Sequence, residues 1–304
     1  MRPTFAGIPA AVLAVCTLTS ISRRHLFATL AASAAFAGAL LVPLHAQLPF
    51  TTQKSSGQSV TPAYEGWYRN PDGTFTLSFG YFNRNTTEII EAPIGAQNFV
   101  SPGAQNQGQP GTFYPDRHWG VFGVKVPANF GQQKEVVWTL SYKGQTFAIP
   151  GMLHPNWQID ALEGEAGSNN TPPVLRVGDA GQEGAGPFGV TGAPVTGRVG
   201  QPVPLAVFVK DDGRGATSMA GAGRGAPPIT IAWFKHQGPG AVKFEPATGR
   251  GVNTGSQVTT SASFDAPGEY IVRVRANDSS VAGAGHSQCC WSNGFVKVTV
   301  NRQP

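Results

Sequence analysis

The stretch SASFDAPGEYIVRVRANDSS, residues 261–280, decides the fold of the second half of this chain. After a turn at residues 266–268, apolar side chains alternate with polar ones, and Tyr270, Val272 and Val274 share one face. Alternation with a period of two is typical of a β-strand that buries one of its faces. The stretch therefore predicts two antiparallel strands joined by a tight turn.

Further segments repeat this alternation on both sides of the stretch. Five or more short strands within about 100 residues predict a β-sandwich of immunoglobulin type. In immunoglobulin order we expect strand A near Thr196, B at 203–210, C at 229–235, E at 257–264, F at 269–276 and G at 294–300. We expect strand A to run antiparallel to B, so that the chain enters this domain at the end where the B–C and F–G loops emerge.

Two motifs give this half of the chain a family resemblance. WFKHQGPGAVKFEP, residues 233–246, has a tryptophan strand followed by a Gly-Pro-Gly turn. Residues 261–280 add an Ala-Pro-Gly-x-Tyr corner and an aspartate that closes the next strand. Over residues 195–301 the chain resembles the PKD-like and bacterial immunoglobulin-like modules of exported proteins. The resemblance implies a spacer or adhesion unit, and it carries over no catalytic residue.

The region from residue 62 to residue 163 shows the same period of two. Phe75, Leu77, Phe79 and Tyr81 alternate with polar or small residues. The pattern returns in two later segments, residues 122–126 and 136–142. These segments predict an antiparallel β-sandwich, whose motifs match no named family. The predicted fold class is all-β, with two antiparallel β-sandwich domains of which the second is immunoglobulin-like.

Composition agrees with short strands joined by many turns. The 304 residues include 39 Gly and 25 Pro, and only 13% of them are charged. Residues 47–61 form a polar leader before the first sandwich. Between the sandwiches, residues 164–194 are rich in Gly, Pro and Ala and predict a linker. The second domain is expected to extend over residues 195–304.

The N-terminal residues 1–46 predict an export signal. An arginine pair, Arg23 and Arg24, precedes an Ala-rich apolar run that ends in a small residue at Ala46, which is the layout of a secretory signal peptide. The order Ser-Arg-Arg-His-Leu-Phe resembles a twin-arginine signal. Ordinary Sec export stays open, and so does a retained membrane anchor, because the run over residues 26–44 is long enough to span a bilayer. Export predicts a periplasmic or extracellular location.

Two long loops lie at one end of the predicted immunoglobulin-like sandwich. The B–C connection spans residues 211–228 and the F–G connection spans residues 277–293. Loops longer than about 12–15 residues are usually functional or disordered. The F–G loop holds the candidate binding residues His286, Cys289, Cys290 and Trp291. A junction with the first domain, an exposed ligand site and a loop without consequence are the alternatives.

Cys289 and Cys290 are the cysteines that remain once the signal is removed with Cys16. Consecutive Cα atoms lie about 3.8 Å apart, below the usual disulfide range of about 4.4–6.8 Å. In the oxidising compartment that export implies, we nevertheless expect a vicinal disulfide that stiffens the loop. Buried free thiols, a disulfide to another molecule and a metal site with His286 are the alternatives. A structural zinc site has four ligands, and the sequence offers no second Cys/His cluster.

Three aspartates at strand ends are candidate calcium ligands. Asp211 and Asp212 follow strand B, and Asp278 follows strand F, at the same end of the sandwich. Calcium prefers several oxygen ligands, so these carboxylates would form part of a site. Aspartate also ends strands simply as a turn former. No other cofactor is expected.

Aromatic and basic residues supply two candidate binding surfaces. Trp67, Tyr68, Trp119 and Trp157 in the first domain are candidate sugar-stacking residues, with Trp67 and Trp119 as the main candidates, although most aromatics of a β-sandwich belong to the core. Arg273, Arg275 and Lys297 point away from the core of the second domain and form a basic strip. A solvated face is one interpretation of the strip, and a contact with an anionic glycan or a protein is the other.

Charge and motifs narrow the function classes. The net charge of +5 falls to +2 without Arg2, Arg23 and Arg24, and no basic run remains, so nucleic-acid binding is not expected. No catalytic motif of a hydrolase or metalloprotease is present. We expect a non-catalytic envelope or extracellular module whose partner is an envelope protein or a glycan, with membrane contact only through a retained signal segment. A carbohydrate-binding or accessory subunit, and a redox or metal-binding protein using Cys289 and Cys290, are the alternatives.

Overall fold

A computed structural model describes residues 54–159, 171–212, 229–252, 254–278 and 290–303, and all of them belong to one compact unit. Their regular secondary structure is β-strand, apart from one turn of 3-10 helix at Pro155–Trp157. The all-β prediction is therefore confirmed. In the described ranges no helix has the length and apolar composition needed to cross a membrane. The predicted signal peptide, residues 1–46, lies outside these ranges.

Eight strands build the N-terminal sandwich. They are β1 (Val60–Arg69), β2 (Phe75–Asn83), β3 (Ile90–Glu91), β4 (Asn98–Ser101), β5 (Thr112–Phe113), β6 (Asp116–Val126), β7 (Glu135–Tyr142) and β8 (Gln145–Met152). One sheet has the order β1-β2-β6 and the other has the order β4-β7-β8, while β3 and β5 form a small separate pair. All of these pairings are antiparallel, as the sequence predicts.

Aromatic rings fill the space between the two three-stranded sheets. Phe79 on β2 stacks on Phe122 of β6, with ring centroids 5.3 Å apart. Trp138 on β7 meets the Phe122 ring edge-on at 5.0 Å, and it is fully buried. Offset and edge-on pairs of this kind stabilise a core beyond the area they bury. The alternating residues of the sequence are thus the core of this sandwich.

Eleven strands follow in the C-terminal half. They are β9 (Val174–Val177), β10 (Glu183–Gly184), β11 (Val190–Thr191), β12 (Val195–Arg198), β13 (Val203–Lys210), β14 (Ile229–Gln237), β15 (Val242–Glu245), β16 (Thr248–Val252), β17 (Ser256–Phe264), β18 (Gly268–Asn277) and β19 (Trp291–Asn301). The first sheet has the order β10-β9-β13-β17-β15, and the second has the order β11-β19-β18-β14-β16, with β12 also paired to β19. This is an immunoglobulin-like sandwich in which β13, β14, β17, β18 and β19 are strands B, C, E, F and G.

A single apolar cluster holds these two sheets together. Trp233 on strand C and Phe264 on strand E are buried in it. The Tyr270 hydroxyl donates to the Ala266 carbonyl at 2.8 Å, which is the tyrosine corner of this fold. The stretch that predicted the fold therefore supplies both a core strand and the bond that anchors its turn.

The first strand of this sandwich differs from the prediction. The segment near Thr196, β12, pairs in parallel with β19 rather than antiparallel with β13. The earlier strand that pairs antiparallel with β13 is β9, which lies inside the range predicted as a linker. Leu175 and Val177 fill the core from β9, but four residues are too short a pattern to recognise. The chain still enters at the predicted end, because Val174 pairs with Lys210 at the end of β13.

The range predicted as a polar leader also contributes to the fold. Strand β1 begins at Val60, and the Lys54 and Ser55 carbonyls accept hydrogen bonds from the backbone N–H groups of Thr86 and Thr87. Backbone pairing of this kind does not depend on apolar side chains, so the composition of the segment does not reveal it.

Candidate functional site at the junction of the two sandwiches

The outer face of strands β18 and β19 carries the predicted basic strip. Arg273 lies opposite Phe295, and Arg275 lies opposite Asn293, so each pair projects from the same side of the sheet. That side faces away from the apolar core of the C-terminal sandwich. In the structure it is covered by the N-terminal sandwich, and we call the contact between them the junction.

Gly120 on β6 lies in direct contact with the C-terminal sandwich. Its carbonyl accepts hydrogen bonds from Asn293 Nδ2 at 2.7 Å and from Trp291 Nε1 at 3.3 Å. Its φ is +46°, and a Cβ at this position would lie 2.5 Å from the Trp291 ring. Only glycine combines this backbone conformation with such a close approach. Trp291, predicted as a binding residue, is therefore a buried contact between the sandwiches.

Glu65 on β1 binds the backbone of Gly120. Its side chain is buried, accepts the Gly120 N–H at 2.5 Å and pairs with the Arg117 guanidinium at 2.9 Å. Burial raises the pKa of Glu65 to about 7, although Arg117 and the Gly120 N–H oppose the rise. The Glu65 carboxyl group thus fixes the part of β6 whose carbonyl accepts hydrogen bonds from Asn293 and Trp291.

The two arginines of the strip are enclosed by aromatic rings. Arg273 is 2% exposed, donates to Asn293 Oδ1 at 3.0 Å and lies 4.5 Å above the centre of the Phe234 ring. The Arg275 guanidinium lies 5.7 Å from the same ring. Burial, together with the charge of the neighbouring Arg275, lowers the pKa of Arg273 to about 10. These arginines form cation–π contacts inside the junction instead of a solvated face.

Phe234 is the aromatic residue that joins the arginines to the N-terminal sandwich. Its ring meets the Tyr114 ring at 5.1 Å and the His118 ring at 5.6 Å. The Tyr114 hydroxyl accepts the Lys235 backbone N–H at 2.9 Å. Strand β14 is therefore bound to the start of β6 by both rings and backbone.

Two histidines are buried beside these rings in the neutral form. His118 Nε2 donates to the Pro115 carbonyl at 3.0 Å, and His236 Nε2 donates to the Gly108 carbonyl at 2.7 Å. Burial is the main cause, and the positive charge of Arg273 the second, of pKa values that are lowered to about 3 for both histidines. Neither histidine is paired with a carboxylate in the described part of the chain, so they serve as hydrogen-bond donors at physiological pH.

The loop before β5 fastens the junction along the end of β14. The Gly111 N–H donates to the His236 carbonyl at 2.7 Å. The side chain of Gln237 donates to the Gln109 carbonyl at 2.6 Å, and it exchanges a hydrogen bond with Asn106 at 3.1 Å. Backbone groups on both sides take part, which ties the relative position of the two sandwiches to main-chain geometry.

The paired cysteines lie only partly within the described chain. Cys290 is fully buried and disulfide-bonded, next to Trp291. Cys289 and His286 lie outside the described residues, so the vicinal ring stays a prediction. In the described half of the pair, the sulfur is inside the protein and not on its surface.

The three aspartates lie at the predicted end of the sandwich. The backbone N–H of Asp211 donates to the Thr254 hydroxyl at 2.8 Å. The Asp212 carboxylate accepts a hydrogen bond from the Thr171 hydroxyl at 2.9 Å. Asp278 is buried. Thr171 thereby ties the incoming chain to the end of β13. The described residues contain no group of three or more His, Cys, Asp or Glu arranged to hold a metal ion. The calcium site stays a prediction.

The two tryptophans that were the main candidates for sugar stacking have different surroundings. Trp67 is 9% exposed, donates from Nε1 to the His154 carbonyl at 2.8 Å and meets Phe75 edge-on, so it is a core residue. Trp119 is half-buried, and the Arg117 guanidinium lies over its ring, 3.9 Å from the ring centre. Among the described tryptophans the exposed one is Trp157, at 49%, which the sequence also offered as a stacking residue. It lies in a Pro-Asn-Trp turn of 3-10 helix rather than in a strand.

Two cavities open beside the junction. One, of about 450 Å³, lies between strand β6, the segment around Phe188, and strands β18 and β19. The other, of about 750 Å³, has Glu91, Asp265 and Glu269 in its walls. Sequence analysis did not identify either cavity, because each is formed by residues more than 80 positions apart in the chain.

Comparison with known proteins finds likenesses among solved structures. No family model and no curated protein matches the chain. Among solved structures, the PKD domain of an M14-like peptidase from Thermoplasmatales archaeon SCGC AB-540-F20 is 20% identical, with 43% of this chain and 97% of that chain covered and a TM-score of 0.24. The D0-D1 domain of intimin is 10% identical, with 79% and 97% covered and a TM-score of 0.24. Domains 4 and 5 of the S-layer protein SbsC are 13% identical, with 55% and 65% covered and a TM-score of 0.23.

These scores are too low for the likenesses to carry an argument about function. The immunoglobulin-like fold of the C-terminal half rests on its own strand order and on its tyrosine corner.

Proposed function

We propose that this protein is an exported, non-catalytic module of the cell envelope or the extracellular space, in which the two sandwiches act as one rigid structural or interaction unit. An envelope protein or a glycan is the proposed partner. The junction carries this proposal. It buries the arginines and Trp291 that the sequence offers for chemistry, and it uses them to hold one sandwich against the other.

The bonding pattern of the junction supports rigidity. Gly120, Asn293 and Trp291 form directed hydrogen bonds, and buried polar groups are costly to leave unsatisfied. A hinge between domains would instead show a small, wet and exchangeable contact. A rigid pair of sandwiches suits a spacer or a module that presents a partner site at a fixed distance.

Two observations support export. The arginine pair and apolar run of residues 1–46 have the layout of a signal peptide. Cys290 is disulfide-bonded, and stable disulfides belong to oxidising compartments.

Cell fractionation with intact mass analysis tests the location. We expect the mature chain, cleaved after Ala46, outside the cytoplasm, and we expect the paired change Arg23→Lys, Arg24→Lys to leave uncleaved protein inside. The change Arg2→Lys is the matched control and should export normally. Export of the paired variant at the parent rate would favour the Sec route. Cytoplasmic accumulation of the uncleaved parent chain would overturn the proposal.

Solution scattering of the mature chain tests rigidity. We expect the radius of gyration to stay constant in salt from low to high concentration, because the junction contacts are buried and screened little by salt. A radius that grows with salt would show that the sandwiches separate, and it would contradict a rigid unit.

Carbohydrate binding remains a second candidate because one observation favours it. Trp157 is 49% exposed, and its ring lies 5.6 Å from the Tyr64 ring at an angle of 50°, so one indole side chain is open to solvent beside a second aromatic ring. A glycan array with the parent chain and a Trp157→Ala variant tests this candidate. Ile89→Ala, which changes another exposed apolar side chain at 48%, is the matched control. An array without any Trp157-dependent signal would remove the candidate.

A further inference from the structure

The smaller junction cavity has walls from three separate parts of the chain. Phe122 comes from the N-terminal sandwich, Phe188 comes from the connecting segment, and Phe295 and Lys297 come from β19. Its volume of about 450 Å³ falls within the ~300–1,000 Å³ range of small-molecule sites. Such sites occur preferentially between domains and combine apolar walls with a few polar groups.

The segment that holds Phe188 is fastened on both sides. Its backbone N–H donates to the Tyr68 hydroxyl of the N-terminal sandwich at 3.3 Å. The preceding carbonyl, that of Pro187, accepts from Asn293 Nδ2 of the C-terminal sandwich at 2.8 Å. A Cβ on Gly123 would lie 3.2 Å from the Phe188 Cα, so the segment lies directly on β6.

Phe188 is nonetheless 45% exposed, and its ring is on the cavity wall. A single exposed apolar side chain is ordinary in a soluble domain, so what distinguishes Phe188 is its place in the wall of a cavity between the two sandwiches. Phe295, on the neighbouring strand, is only partly buried and packs edge-on against His236 at 5.2 Å. Both phenylalanines line the cavity and contribute to its apolar wall.

The charge of the cavity has one sign. Lys297 is the charged side chain among its described lining residues, and it forms no ion pair with the described chain. Gln182 and Thr191 add uncharged polar groups. His236 lies on the wall in its neutral form, with Nε2 already donating to Gly108. An ammonium at the edge of an apolar gap complements a carboxylate carried on a flat apolar body.

We infer that this cavity is a binding site for a small aromatic carboxylate, with Phe188 and Phe295 against the ring and Lys297 paired with the carboxylate. The site goes beyond the proposed structural role, because it assigns the module a small ligand. The volume fits one such molecule rather than a folded partner.

Titration calorimetry of the mature chain with N-acetyl-phenylalanine tests the site. We expect a Kd of roughly 1 mM or below for this fragment-sized probe. N-acetyl-phenylalanine amide, which has the same shape without the charge, should bind about tenfold more weakly because it lacks the charge-assisted bond. No detectable binding of the acid at about 10 mM would overturn the inference, and so would equal binding of acid and amide.

Variants then locate the binding. Lys297→Met should weaken the acid about tenfold and leave the amide unchanged, whereas Phe188→Ala should weaken both probes about tenfold. Lys243→Met, at an exposed lysine on β15, is the matched control and should leave both affinities unchanged. Binding that is indifferent to both Lys297 and Phe188 would place the probe elsewhere and overturn the assignment.

Amide chemical shifts of the parent chain provide a reading that needs no variant. The acid should move the signals of Phe188, Phe295 and Lys297 and leave that of Lys243 in place. Shifts confined to other regions would contradict the site even if the affinity were as expected. The rigidity and export experiments are independent of this outcome, so the two proposals can fail separately.

Discussion

Both faces of the sheet formed by β18 and β19 contain fully buried residues, and opposite chemistry buries them. On the inner face, Val274 and Val298 are at most 1% exposed and contact other apolar side chains. On the outer face, Arg273 is 2% exposed and Asn293 is fully buried, and both are held by directed hydrogen bonds and ring contacts. Burial alone therefore does not distinguish a core from a junction in this protein.

The difference teaches where the molecule should be sensitive to change. An apolar face tolerates volume-conserving substitutions, because dispersion contacts are not directional. A polar buried face does not, because the loss of one donor leaves its acceptor unsatisfied at a cost of about 1–3 kcal/mol. The four experiments that follow are ordered by the size of the expected effect.

The change Gly120→Ala should destabilise the protein most. A Cβ would lie 2.5 Å from the Trp291 ring, and the positive φ adds strain, so we expect a loss of about 3–4 kcal/mol in the free energy of unfolding by urea. Gly131→Ala is the matched control, because Gly131 also has a positive φ, at +77°, and has open space around it. It should lose about 1 kcal/mol, from the backbone alone. Equal losses would mean that Trp291 does not pack on Gly120.

The change Arg273→Ala tests the polar face directly. It removes the donor to Asn293 Oδ1 and the cation above Phe234, and we expect a loss of about 2–3 kcal/mol in the free energy of unfolding. Arg198→Ala, at an exposed arginine on β12, should stay within about 0.5 kcal/mol. If the two variants were equally stable, Arg273 would be solvated and the junction would be open.

Acid should weaken the junction through its histidines. The folded-state pKa values of His118 and His236 are about 3, below the ordinary 6.5, so the unfolded chain takes up protons first as the pH falls. Stability is therefore present above pH 6.5 and is lost as the pH decreases towards 3, by about 2 kcal/mol per histidine at pH 5.

Unfolding of a His236→Gln variant at pH 5 and pH 7.5 measures this loss, since Gln keeps a donor for Gly108. The parent should lose about 2 kcal/mol more than the variant on going to pH 5. His154→Gln, at an exposed histidine, is the control and should follow the parent.

Glu65 acts in the opposite direction, because a carboxyl pKa raised to about 7 favours the folded state at low pH and loses that contribution as the pH rises through 7. Each effect is therefore taken as a difference between parent and variant at the same pH.

The change Lys297→Ala should have the smallest effect on stability. Lys297 shares the outer face with Arg273, yet it is exposed and makes no ion pair in the described chain. We expect the free energy of unfolding to change by no more than about 0.5 kcal/mol in urea. A loss similar to that of Arg273→Ala would mean that the junction extends to the end of the strip.

Most of the fold could be predicted from short-range pattern. The alternation of Val203 to Val209 and of Tyr270 to Val274 gave strands B and F within a residue or two of their observed limits, because a half-buried strand imposes a period of two on its own residues. The parallel pairing of β12 with β19 was missed, since its four residues alternate too briefly and its partner is about 100 positions away.

The candidate site was predicted less well, for a related reason. Trp291 was among the predicted binding residues, but Gly120, whose carbonyl accepts its hydrogen bond, and Glu65, which accepts the Gly120 N–H, carry no local signal. Trp67 looked like a binding residue because tryptophan is common at both sugar sites and cores. Its burial, its edge-on contact with Phe75 and its hydrogen bond to the His154 carbonyl placed it in the core.

By itself the sequence determined that this is an all-β chain, which residues turn inward on each strand, and that Arg273, Arg275 and Lys297 turn outward from one sheet. Only the tertiary structure decided what covers that outward face. A period of two records the side of the sheet on which a residue lies. It does not record whether water, a second sandwich or a cavity lies beyond, because those neighbours come from segments far away in the chain.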